Sequence, residues 1–146
     1  MAIAKLTESE IRLFLQDKKE LNPLLRGIRF SAEDIDSAIN RCVDFYNESA
    51  PFTDTLTPSS FPYRYSLLMG VSGYLLKSAS INEAGNELSY SADGISIQDK
   101  DKAEIFAKLG AQFWDEFKDK ITNIKVCKNL GQAFGSDSSE LMYMAQ

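Results

Sequence analysis

Asp99-Lys100-Asp101 is the stretch whose residue types most invite chemistry, because Asp-x-Asp opens the calcium loop of an EF-hand. The remaining ligands are absent: no loop glycine and no closing glutamate stand at the required spacing. Asp99 is instead expected to cap a helix, its carboxylate accepting amides of the first turn. Cys42 and Cys127 lie far apart with no paired metal-ligand spacing, and the chain has no histidine to join them. They read as two reduced, semi-buried thiols. Gly70-Val71-Ser72-Gly73 and Gly131-Gln132-Ala133-Phe134-Gly135 lack the Gly-Lys-Ser/Thr ending of a phosphate loop, and no Gly-x-Ser-x-Gly elbow occurs. Without histidine the commonest general base is missing, and the carboxylates fall on helix faces and caps. No catalytic, cofactor-binding or metal residue is expected, and the chain does not read as an enzyme.

The whole chain narrows the classes further. Its 146 residues suit one domain with a real core. Hydrophobic residues make up 44% and charged ones 25%, the balance of a chain that folds in water. The net charge of -5 supplies no basic field to attract phosphates, which disfavours a DNA-binding helical protein. The opening MAIAKLTESEIRLF lacks the basic, apolar and small-residue zones of a signal peptide. The richest apolar run, Tyr65 to Leu76, is shorter than the roughly 20 residues of a membrane span, so no membrane is expected.

The elements are mostly helical. Thr7-Glu8-Ser9-Glu10 has the capping-box pattern and starts a short helix bearing Ile11, Phe14 and Leu15 on one face; Asn22-Pro23 ends its pattern. Ser31 caps a second helix to about Glu48, with Ile35, Ile39, Cys42, Val43 and Tyr46 at helical spacing. Residues 49–61 carry no period and read as a surface loop of the length at which functional loops become common. Pro62 is expected as the first residue of a central third helix reaching Ile81. Along it Ser66, Gly70, Gly73, Lys77 and Ser80 form a small or polar stripe, against which another backbone, within the chain or in a second subunit, can come close. A fourth helix is expected over about Lys100 to Cys127, where Phe106, Gly110, Phe113, Phe117, Ile121 and Ile124 recur at a mean step of 3.6. Trp114 beside this stripe belongs either to the core edge or to an interface.

Two segments depart from the helical pattern. In LSYSADGISI, Leu88 and Tyr90 alternate with serines, as do Ile95 and Ile97 with Ser96 and Gln98, around Asp93-Gly94. The spacing predicts a β-hairpin over about 88–97 between helices three and four. It either covers one end of its own bundle or offers a strand edge to a neighbour. Residues 129–146, with Gly131, Gly135 and a Ser-Asp run, are expected to form a flexible tail. They carry apolar anchors at Phe134, Leu141, Tyr143 and Met144 that could order on a partner. The fold expected is therefore a mainly α, single-domain bundle of about four helices over 1–128, with one hairpin and an extended tail.

The order of phrases FSAEDIDSAINRCVDFYNESAP, FPYRYSLLMGVSGYLLKSA and NELSYSADGISIQDKDKAEIF, then a long helix and a Gly/Ser tail, resembles bacteriophage head-to-tail connector proteins, the adaptor or neck proteins, over roughly residues 7–140. The resemblance implies a structural virion protein, assembled in the host cytoplasm. It would dock as a homo-oligomeric ring, commonly of twelve copies, beneath the portal protein at the capsid vertex. Such a ring seats the next neck or tail protein, and DNA passes through its channel without specific binding. It brings no catalytic residues. The assembly contacts expected are Leu88, Tyr90, Ile95 and Ile97 of the hairpin and Phe134, Leu141, Tyr143 and Met144 of the tail. The competing class is a cytoplasmic helical adaptor or regulator that binds one protein partner and enters no particle.

Overall fold

The computed structural model describes residues 5–21, 27–90 and 100–133. Four α-helices follow in order, α1 Glu8–Leu15, α2 Ala32–Glu48, α3 Arg64–Tyr90 and α4 Lys100–Ala133, with a short 3-10 turn at Lys19–Leu21. The Thr7 hydroxyl accepts the Glu10 amide while the Glu10 carboxylate accepts the Thr7 amide at 2.8 Å, so both ends of the expected capping box close. Ser31 and Asp34 form a second box at the start of α2. Each box satisfies amides that the first helical turn leaves without partners.

α1 stops because Gln16 takes a left-handed conformation, φ 55°, and turns the chain inward. That turn delivers Asp17, 4% exposed, to the backbone ahead of α2. Its carboxylate accepts the amides of Arg29 at 2.6 Å and Phe30 at 3.0 Å, and the Arg12 guanidinium at 3.0 Å. A buried carboxylate is tolerated there because charge-assisted hydrogen bonds replace its water. Arg29 continues the clasp, pairing with Glu83 of α3 at 3.0 Å and lying 5.0 Å over the Phe106 ring of α4.

α3 and α4 form the dominant contact and run antiparallel, Tyr65 meeting Glu116 near one end and Gly73 meeting Gly110 farther along. The small stripe of α3 is where they touch. A Cβ on Gly73 would lie 2.8 Å from the Trp114 amide nitrogen and 2.9 Å from the Gly110 carbonyl oxygen. The close approach is thus within the chain. One turn earlier, Gly70 leaves room for the Phe117 ring and Cys42 of α2. α2 then packs across α3, burying Ile35, Ala38, Ile39, Cys42, Val43 and Tyr46 with Leu67, Val71, Leu75, Phe117 and Ile121.

The expected elements need three corrections. α3 starts at Arg64 rather than Pro62, because Tyr63 is the residue whose carbonyl accepts the first helical amide, from Leu67 at 2.9 Å. Phe61 and Tyr63 pack against Tyr46, which holds this approach to the helix outside it. α3 also continues nine residues past Ile81 through Tyr90, so the expected first strand is its last turn. Extending an existing helix gains a hydrogen bond per residue, whereas a hairpin must be nucleated, and Leu88-Ser89-Tyr90 is too short a signal to outweigh that. No strand occurs among the described residues; Ile95 and Ile97 lie outside them. α4 likewise continues through Ala133, beyond Cys127. No helix among the described residues is long and apolar enough to cross a membrane.

The glycine contact makes a differential prediction. Gly73→Ala should lose about 1–2 kcal/mol in chemical denaturation, since backbone overlap outweighs the gain of about 1 kcal/mol in helix propensity. Gly85→Ala, in the same helix with nothing among the described residues within 4 Å of the new methyl beyond the helix's own backbone, should gain about 0.5–1 kcal/mol. Equal responses at the two positions would contradict the close approach.

Candidate functional site

The densest polar cluster lies where α2, the loop 49–63 and the end of α4 meet. α4 turns Lys125 inward on the helical row of Phe117 and Ile121, and the lysine is only 1% exposed. Its ammonium donates to the Tyr46 carbonyl, to the Ser49 carbonyl at 2.5 Å and to the Ser49 hydroxyl at 3.1 Å. These groups lie in the last turn and at the C-cap of α2, where backbone carbonyls lack helical partners and the helix dipole favours a cation. The ammonium also sits 4.5 Å over the Tyr46 ring.

Lys128, one turn on, grips the loop. It pairs with Asp54 at 2.9 Å and donates to the Tyr46 hydroxyl at 2.9 Å, while that hydroxyl donates to Asp54 at 2.5 Å. Asn47 fixes the loop a second time, exchanging two hydrogen bonds with the Leu56 backbone at 2.8 and 2.9 Å. Burial opposes charge on Asp54, but hydrogen bonds from Tyr46, Lys128 and Thr53 outweigh it and bring the carboxyl down to about 2. Burial, then the Asp54 carboxylate, pushes the Tyr46 hydroxyl upward. Burial lowers Lys125, with Lys128 adding repulsion and Asp54 opposing.

Tyrosine, aspartate and two lysines at hydrogen-bond distance could in principle move protons. Here they are committed to one another and to backbone. The cluster acts as a clamp on the loop. Phe52, at 71% the most exposed large apolar side chain among the described residues, stands on the clamped segment.

The surface features with room for a partner lie on either side of α4. On one side, Phe45 of α2 meets Trp114 edge-on at 5.1 Å, and both line a groove of about 480 Å³ with Tyr74, Lys77 and Glu48. A smaller groove, about 290 Å³, continues along the same α2–α3 seam past Tyr74 toward Arg29. On the other side, Phe14 of α1 meets Phe113 at 5.4 Å. Leu13, Phe14, Ile105 and Leu109 are exposed there by 38% to 56%.

Of the expected assembly residues, Leu88 and Tyr90 lie in the last turn of α3, so they offer no strand edge. Ile95, Ile97, Phe134, Leu141, Tyr143 and Met144 lie outside the described residues. Trp114 is half-buried, at the core edge and on the groove wall at once. Sequence reasoning missed the clamp. A signal existed, since Lys125 follows Ile121 by four residues and so falls on the apolar side of α4, but a lysine there reads as solvated until its carbonyl partners are known. Comparison with protein-family models, curated proteins and solved structures finds no match to this chain.

Lys125→Met keeps the volume and removes the donor, leaving two carbonyls in or beside the core without a partner. It should cost about 2–4 kcal/mol in urea denaturation, and a loss below about 1 kcal/mol would contradict the clamp. The Asp54 carboxyl is depressed in the folded chain, so its contribution is complete above its unfolded value near 3.8 and is lost as pH falls toward 2. With 43% of the side chain exposed, that contribution is discounted to about 1 kcal/mol. Stability profiles of wild type and Asp54→Asn should converge by about that amount between pH 5 and pH 2. Parallel profiles would show that Asp54 carries no such charge-dependent stabilisation.

Proposed function

We propose that this chain is a structural head-to-tail adaptor of a bacteriophage particle. It docks as a ring beneath the portal protein, seats the next neck or tail component and continues the DNA channel. The observation that carries the proposal is the division of exposed apolar surface between different sides of one braced helical body. A ring needs heterologous contacts, in which each subunit offers two unlike faces. The Leu13, Phe14, Ile105 and Leu109 face and the Trp114 groove are two such surfaces. The resemblance of the phrases around Phe61-Pro62-Tyr63-Arg64-Tyr65 and Ser91-Ala92-Asp93-Gly94 to connector proteins supports the same reading.

The ring's function is mechanical, so its parts should hold shape. The clasp at Asp17 and the clamp at Lys125 brace opposite ends of α2, which is tied to α3 far less closely by backbone packing than α3 and α4 are tied to each other. The net charge of -5 suits a channel wall that repels passing DNA rather than gripping it. In the tail, Leu141, Tyr143 and Met144 supply apolar anchors for the portal or the next component.

Mass spectrometry of purified virions should find the chain as a stoichiometric component, and electron microscopy of the protein mixed with portal should show a ring at the portal's narrow end. Absence from the virion would overturn the proposal in favour of a cytoplasmic adaptor. Deleting Leu141–Gln146 should leave a helical monomer that docks on portal at least about tenfold more weakly. Equal docking would remove the tail from the contact.

A further inference from the structure

We draw no further inference here: the strongest candidate, the groove between α2, α3 and α4 walled by Phe45, Tyr74 and Trp114, carries none, because its rim mixes Arg41 and Lys77 with Asp44 and Glu48 and nothing in the structure shows what covers it.

Discussion

The approach of α3 and α4 at Gly73 and Gly110 is the constraint from which the rest of the structure follows. With neither residue carrying a Cβ, the backbones touch, and the side chains on either side are forced to particular places. Phe117 drops into the space over Gly70, where it also meets Phe45 of α2. Trp114 cannot enter the seam, since its own amide is part of the contact, so its ring is turned to the flank, where it meets Phe45 edge-on and Phe117 at a tilt. α2 is positioned by those rings and by Cys42, which stands against Gly70. A side chain at position 73 would push α4 outward and displace all of these together.

α2 depends on a second kind of force. Its buried stripe settles its rotation, but its two ends are held by charge. Asp17 takes the amides ahead of its N-terminus, and Lys125 takes the carbonyls at its C-terminus. Each places an ion of the favourable sign near an end of the helix dipole and replaces lost hydration with backbone hydrogen bonds. Such ions are costly when their partners move, and the one at Lys125 holds the C-terminal end of α2, from which the loop 49–63 departs. Phe52 is consequently displayed on a fixed backbone, with little conformational entropy left to lose on contact with a partner.

Much of this arrangement was legible in the sequence. Both capping boxes, the core face of α2, the close-approach stripe of α3 and the 3.6 step of α4 follow from local patterns, because caps and helical periodicity act over a few residues. The hairpin failed for the converse reason. LSY alternates for only three residues, and cooperativity carries α3 through them. The start of α3 was displaced by Tyr46, an aromatic some fifteen residues away in sequence, which no window around Pro62 contains. Lys125 illustrates the deeper limit. Its burial depends on carbonyls 76 and 79 residues distant, and only the tertiary fold brings them within reach. The flanks of α4 were partly readable, since Phe113 and Trp114 are adjacent and must diverge, but which flank stays open is decided by where α1 and α2 end.

The distribution of exposed apolar surface bears on how such a chain could remain dispersed and still assemble. A single large patch would drive uncontrolled association, whereas residues left 38% to 56% exposed on one side and a groove on the other are each small enough for a monomer to tolerate. The net charge adds mutual repulsion between free copies. In a closed ring every copy makes two contacts at once, and the last contact forms within an existing assembly at high effective concentration. Modest contacts then suffice for a stable ring while an open pair still dissociates. That balance requires subunits that do not bend as the ring closes, because accumulated flexibility would lower the effective concentration at the final joint. The glycine seam, the Asp17 clasp and the Lys125 clamp supply that stiffness, and they connect the buried chemistry of this chain to the work proposed for its surface.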